Sequence, residues 1–285
     1  MLRRAVLRWY VRHGRDFPWR KTTSPYAILV SEVMLQQTGT ARVILKYLDF
    51  LSRCPTAASL AAASLKEVLT LWSGLGYNGR ARNLWNAMRR IRADRGGRLP
   101  RSTAALRRLP GIGRYTSAAV ACFAYNARVP IVDTNVRRVL SRSMLGLDDC
   151  GERKVWQLAD ALLPARAAKS WNQGLMDIGA IFCRPRPKCA QCPAKRHCRW
   201  AASGMASIAA KRATKTAFWG SSRFYRGRIV RALVEKSPLR LIDLGVKVKQ
   251  GFDKTELAWL AELVVRLESD GLVKLDRLRQ RARLA

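Results

Sequence analysis

Leu109-Pro110-Gly111-Ile112-Gly113-Arg114 restricts the fold of this chain more than any other stretch. Proline ends the helix before it, and two glycines two residues apart permit a tight hairpin with positive φ. A helix then starts at Arg114 or Tyr115 and runs through TSAAVACFAY, whose small residues allow close helix contact. Backbone N–H groups at such an opening point outward and can hold a phosphate oxygen. The expected unit is therefore a helix, a hairpin and a second helix that grips a nucleic-acid backbone without reading its sequence. Further on, the apolar run Val129-Pro130-Ile131-Val132 ends at Asp133, at the mouth of the helix NVRRVLSRSML. An aspartate there is ordinarily an N-cap. The nearby hairpin adds a second reading, a carboxylate set beside an anchored backbone.

Charge supports the polyanion. The 285 residues carry 54 Lys plus Arg against 19 Asp plus Glu, a net charge of +35. Such an excess predicts strong, salt-sensitive attraction to a polyanion. The plain alternative is a host with Arg-heavy codon usage, but the excess runs the length of the chain, which fits a nucleic acid better than a basic tail would. With 48% hydrophobic residues, the chain has a core large enough for two domains, or one split domain with an appendage. No apolar run is long enough to span a bilayer. The N-terminal MLRRAVLRWYVRHG lacks the apolar segment of a secretory signal. The expected setting is cytoplasmic and nucleoid-associated, with no membrane partner and seven reduced cysteines.

In chain order, an amphipathic helix over 1–13 precedes a loop, and Pro25 opens the helix YAILVSEVMLQQT. TARVILKYLDFLSR, short helices through AASLAAASLKEVLTLW, and ARNLWNAMRRIRADR ending at Gly96-Gly97 come before the hairpin. Helices are expected near 133–145, 152–163 and 169–182, then a cysteine-rich turn to about 200. Strand signals are nearly absent here, so the fold class is all-α. Residues 205–222 look like a linker. Beyond it come FYRGRIVRALVEK, a stretch LRLIDLGVKV ambiguous between strand and helix, the helix KTELAWLAELVVRLESD, and an alternating Leu272–Leu275. Helices followed by a small β-wing suggest a winged-helix-like module at 223–285.

Two sets of residues carry chemistry. Cys183, Cys189, Cys192 and Cys198 form C-x5-C-x2-C-x5-C, four thiols suited to a four-iron cluster or a structural zinc. Zinc sites usually have two close pairs; one close pair flanked by two lone cysteines favours iron and sulfur. Arg184, Arg186, Lys188, Lys195 and Arg196 make the turn basic. Glu32 lies four residues after Ile28, three after Leu29 and three before Leu35, hence on the apolar side of its helix. Burial disfavours the charged form of a carboxyl and can make it a general acid near neutral pH. The plain alternative is a glutamate paired with one of the many arginines. Cys54, Cys122 and Cys150 read as ordinary core or surface residues.

SEVMLQQT at 31–38, GLGY at 74–77, LPGIGRYT at 109–116, VDTNVRRV at 132–139 and the four-cysteine turn occur in an order that resembles the helix-hairpin-helix glycosylase superfamily. Within it the chain is most similar to the MutY-type adenine DNA glycosylases, over roughly residues 15–200. The resemblance implies two helical lobes about a DNA cleft. One is a six-helix barrel, 22–133; the other combines 1–21 with 134–204 and holds a [4Fe-4S] cluster. It implies a monomer that acts on double-stranded DNA bearing a mispair or lesion. By that resemblance Glu32 protonates the adenine ring, Asp133 stabilises the sugar cation or briefly bonds it, and Asn135 orients Asp133. Tyr115 stands beside the reacting sugar, and Gln37 and Tyr77 wedge into the base stack. Gly111, Gly113 and Arg114 hold the backbone, and Arg20 lines the base pocket. Strand-cutting members place a lysine at the position of Tyr115 to form a Schiff base; tyrosine implies a monofunctional enzyme.

Two departures stand out. The first cysteine spacing is one residue shorter than the family usually has. Residues 223–275 do not resemble the Nudix-like domain with which MutY enzymes recognise 8-oxoguanine, and with only His13 and His197 in the chain its Phe-Ser-His loop is missing. Thymine or uracil glycosylases acting on T·G or U·G remain a second reading, and a non-catalytic iron-sulfur DNA-binding protein a third.

Overall fold

The computed structural model describes residues 1–204 and 218–285. Most of the expected linker therefore lies outside the described residues. Helix α1 (Leu2–His13) leads through a 3-10 turn to α2 (Pro25–Leu35), opened by its proline as expected, and α3 (Thr40–Arg53) follows. Helices α4 (Ala57–Ala62) and α5 (Leu65–Leu71) each start with a capping box, Thr56 with Ser59 and Ser64 with Glu67. Helix α6 (Gly79–Arg95) ends at Gly96 with φ +56°, a left-handed stop. The hairpin joins α7 (Thr103–Arg107) to α8 (Arg114–Tyr125). Then come α9 (Thr134–Leu140), extended by a π-turn over Ser141–Leu145, α10 (Glu152–Ala161), α11 (Ala168–Ile181) and α12 (Arg199–Ala202).

The C-terminal segment consists of α13 (Ser222–Glu235), α14 (Leu241–Val248), α15 (Leu257–Ser269) and strands β1 (Leu239–Arg240), β2 (Val273–Asp276) and β3 (Arg281–Leu284). The ambiguous LRLIDLGVKV resolves into the short strand β1 and a helix. The strands form an antiparallel sheet in the order β1-β3-β2, with Leu239 opposite Ala282 and Val273 opposite Leu284. Strand β3 had no sequence signal: its alternation of Arg and apolar residues spans only four positions. The winged-helix-like arrangement stands, and the rest of the described chain is helical.

The chain divides into two compact units. One holds Met1–Leu29, Pro100–Arg108 and the described part of Ile112–Ala213, with a core of Val6, Val120, Leu140, Val155, Trp171 and Ile178. In it α1 lies on α11, where a Cβ on Gly174 would meet Val6 Cγ1 at 2.8 Å. Arg3 completes the seam by donating to the carbonyls of Leu162 and Ala161 at 2.7 and 2.8 Å, which end α10. The other unit holds Val30–Leu99, Leu109–Gly111 and the described part of Thr214–Ala285. Its core includes Phe50, Leu60, Trp72, Leu84, Leu233, Leu244 and Val264. Among the described residues no helix is long and apolar enough to cross a membrane.

Candidate active site

Asp133 is the N-cap of α9. One carboxylate oxygen accepts the Val136 N–H at 2.6 Å and the other accepts Asn135 Nδ2 at 3.0 Å. The Asn135 amide has one allowed orientation, because its Oδ1 takes a 2.9 Å hydrogen bond from Arg138 Nη2 and a guanidinium can only donate. Arg138 also donates to the carbonyls of Gly179, at 2.9 Å, and Cys183. A relay thus runs from the first cysteine through Arg138 and Asn135 to the carboxylate. Burial raises the Asp133 pKa; the hydrogen bonds from Val136 and Asn135 and the charge of Arg138 pull the other way without cancelling it.

Helix α11 supports this arrangement from the same unit. A Cβ at Gly179 would stand 2.5 Å from Asn135 Cβ and 2.9 Å from its carbonyl oxygen, so the backbone of α9 rests directly on the glycine. Buried Asn172 accepts the Ile131 N–H at 3.2 Å and donates to the Val129 carbonyl at 3.1 Å, pinning the strand-like approach to Asp133. Sequence reading missed both residues. Their signal was available, since a glycine and a buried amide inside a helical pattern usually have a packing reason.

Glu32 belongs to the other unit. It is 5% exposed, and α2 around it is buried from Tyr26 to Met34 on every side. The apolar-face expectation is therefore too modest: this stretch has no exposed face, and the carboxyl stands in a mainly apolar segment beside buried Ser31. Past its end, exposed Gln37 has φ +57°, and Tyr77 in GLGY has φ +48°. Non-glycine residues in this region carry about 1 kcal/mol of strain each. Arg80 holds both loops. Its Nη1 donates to the carbonyls of Val33, Met34 (both 2.9 Å) and Gln36, and its Nη2 to Thr38 Oγ1, Leu75 O and Gly76 O at 3.1–3.2 Å. Burial lowers its pKa to about 10, which leaves it charged at neutral pH. Arg80 was not singled out from the sequence, where it is one arginine among many; only the fold gathers six oxygens around it.

At the hairpin, Gly111 has φ +72° and a Cβ there would lie 2.8 Å from Asn83 Cβ on α6. Gly113 differs from expectation. Its φ of −87° is open to any residue, and it serves instead as an N-cap of α8 that brings no side-chain hydrogen bond. Only the first glycine makes the turn; the second leaves the helix opening clear of a side chain. Tyr115 is half-buried in the first turn of α8, and the Arg114 guanidinium sits 3.7 Å over the Trp156 ring. Arg20 is engaged within its own unit. Its terminal nitrogens donate to both oxygens of Asp177 at 2.8 Å, beside Arg15, whose N and Nε donate at 2.9 and 2.7 Å. Asp177 is fully buried. Burial opposes its charge, but the hydrogen bonds and charges of Arg20 and Arg15 prevail and its pKa is lowered.

Cys183, Cys189, Cys192 and Cys198 line one small cavity with Phe182, Trp200 and Arg142. Arg142 is buried; it donates to the Arg184 carbonyl at 2.7 Å and to Cys183 Sγ at 3.7 Å, and its guanidinium lies 4.7 Å over Trp200. Among the described residues no three His, Cys, Asp or Glu side chains stand close enough to hold a metal ion. Four thiols around one cavity, with a guanidinium to offset thiolate charge, are a donor set of the kind that suits an iron–sulfur group or a zinc ion. Burial raises the thiol pKa values of Cys183, Cys189 and Cys192, the last to about 11.

The pattern of the HhH-GPD superfamily base excision DNA repair proteins matches residues 30–165. Together with the hairpin and the order of motifs this defines the class: the chain belongs to the helix-hairpin-helix (HhH-GPD) superfamily of base excision DNA repair proteins. Over 268 residues it is 43% identical to the adenine DNA glycosylase of Mycobacterium tuberculosis, covering 92% of this chain and 84% of that one. The human adenine DNA glycosylase is 41% identical over 211 residues, 69% of this chain and 39% of that protein. Its type within the superfamily is accordingly that of MutY. The mycobacterial match is too long to stop before the winged-helix-like segment, which therefore has a counterpart there. Among solved structures, a thermostable thymine-DNA glycosylase is 34% identical with a TM-score of 0.66, covering 70% of this chain and 95% of that one. Endonuclease III in a non-covalent DNA complex, at 22% identity and a TM-score of 0.62 over 70% and 94%, shares the fold.

Proposed function

We propose that this chain hydrolyses the N-glycosidic bond of an adenine mispaired with guanine or 8-oxoguanine in DNA, leaving an intact abasic site. The choice of adenine is supported by the mycobacterial and human relatives. The observation that carries the chemistry is Asp133, a carboxylate of raised pKa held by Val136, Asn135 and Arg138. In this reading Glu32 protonates the leaving base, Asp133 stabilises the positive charge that grows on the sugar, and water completes the hydrolysis. Tyr115 cannot form an imine, so the strand stays whole. Gln37 and Tyr77, rigidly presented by Arg80, enter the stack as the nucleotide is extruded.

Duplexes carrying A·G, A·8-oxoguanine, T·G or U·G, incubated with the protein and then treated with alkali, test it. Cleavage of the A strand is expected, and only after alkali. Cleavage confined to T or U would transfer the activity to the thymine reading, which the 34%-identical thymine-DNA glycosylase keeps in view. Glu32→Gln is expected to lower single-turnover excision on the order of 10³-fold with DNA affinity retained; full activity would remove Glu32 from the mechanism. Gly179→Ala forces a methyl group into the α9 backbone. About 10²-fold slower excision is expected, as for displacement of a reacting group by about 1 Å, with substrate affinity little changed.

Cys183, Cys189, Cys192 and Cys198 would hold a [4Fe-4S] cluster. When bound it would serve as a rigid tie for the basic turn of Arg184, Arg186, Lys188, Lys195 and Arg196. Anaerobic purification should give a brown protein with iron and sulfide in equal amounts. A colourless protein with one zinc would overturn that assignment.

A further inference from the structure

The C-terminal segment has no role in the scheme above, yet it meets the wedge loop inside the same compact unit. Arg223, in the first turn of α13, donates from Nη1 to the Tyr77 hydroxyl at 2.8 Å. Its guanidinium lies 5.6 Å from the Tyr77 ring centroid, and Arg80 lies 5.4 Å from that ring. Tyr77 thus stands between two cations contributed by chain segments far apart in sequence. Beside Arg223, exposed Phe218 lies 5.2 Å from its guanidinium, and Trp219 is 77% exposed. Phe218, Trp219 and Phe224 form one ring cluster, with centroids 5.2–5.8 Å apart. The segment is fastened nearby, since a Cβ on Gly271 at the end of α15 would meet Arg82 of α6 at 2.2 Å.

An exposed tryptophan in a chain of net charge +35, among arginines and next to a strained, outward tyrosine, is poorly explained as core packing. Flat rings alternating with guanidinium groups are the chemistry that takes unstacked nucleobases: every base offers a π-face, and arginine neutralises the adjoining phosphate. We propose that Arg223 is a positioning residue for Tyr77, and that Arg223, Phe218 and Trp219 form a stacking shelf for an unpaired base of the bound duplex. This deepens the glycosylase reading and rests on it. It also assigns the winged-helix-like segment a part in handling the orphaned base.

The test uses the full chain and two labelled duplexes of equal length. One is fully paired; the other has a tetrahydrofuran abasic site opposite 2-aminopurine. Wild type should prefer the abasic duplex and change the 2-aminopurine emission on binding. Trp219→Ala and Arg223→Ala should each reduce that preference about tenfold while affinity for paired DNA changes less than twofold. Tyr77→Phe, which removes only the hydroxyl acceptor, should make the Arg223→Ala effect smaller than it is in wild type, the mark of a direct pair. Melting curves identify any variant that is misfolded, and Arg223→Lys, which keeps the charge without the planar fork, then reads the same contact. Equal losses on both duplexes would mean bulk phosphate attraction only and would overturn the shelf. Additive effects of the two substitutions would overturn the pair. A wild type that excises adenine while these variants match it sinks this inference alone; a wild type that excises nothing sinks the glycosylase reading first.

Discussion

Replacing Asp133 with asparagine is expected to lower adenine excision on the order of 10³-fold while raising the melting temperature at neutral pH. Asparagine is as good an N-cap as aspartate, so its Oδ1 can keep the 2.6 Å bond from the Val136 N–H. What disappears is the charge, together with the hydrogen bond from Asn135, whose Nδ2 would face the new amide's own NH2 group. Because burial raises the pKa of Asp133 in the folded chain, the folded state holds a proton that the unfolded chain gives up from about pH 3.9 upward. The contribution of this group is therefore most favourable below that pH and diminishes as pH rises through the folded value. At pH 7 the ionised form is a burden on stability, a cost that the proposed catalytic role accounts for. Melting curves of wild type and Asp133→Asn from pH 4 to 8 should diverge as pH rises, with the variant higher. A variant that melts lower at pH 7 would mean that the charge is comfortable where it sits.

Asp177→Asn should have the larger effect on folding, a loss of about 3 kcal/mol. The aspartate is fully buried and receives four hydrogen bonds from Arg15 and Arg20, joining the end of α1 and the following 3-10 turn to α11. Removing its charge strands a guanidinium whose side chain is only 10% exposed. The figure sits at the low end for a broken buried pair because Arg15 is 31% exposed and water screens its share. The pH dependence has the opposite sign to that of Asp133. A lowered pKa gives stability that is complete above about pH 4 and is lost as pH falls through the folded value. Wild type should therefore lose its advantage over Asp177→Asn progressively on acidification. A constant gap at every pH would assign the effect to shape rather than charge. Arg20 is the residue whose expected place in a base pocket this cluster bears on most directly, since both of its terminal nitrogens are given to the carboxylate.

Local signals sufficed for much of the fold. Pro25 and the glycines after α6 mark helix ends through contacts within a few residues, and those ends are where the structure has them. They fail where the deciding contact is distant. LRLIDLGVKV has no strong local preference, and it becomes a helix where Phe252 closes on Gly245, a Cβ there falling 2.1 Å from the ring. Gly113 looks in sequence like Gly111, but only the latter is turned by the helix it packs on.

The sequence by itself determined the chemistry on offer: two carboxylates in helical settings, four thiols in one short turn, a glycine hairpin opening into a helix and an excess of positive charge. These depend on residue type and on spacings of a few residues, where chain connectivity already limits the geometry. The tertiary structure alone decided which of many arginines matter. Arg20 supports Asp177, Arg80 gathers two loops, Arg138 aligns Asn135 with Asp133, and Arg223 reaches Tyr77 across 146 positions. A guanidinium takes its role from whichever oxygens surround it, and only the folded chain brings those oxygens together.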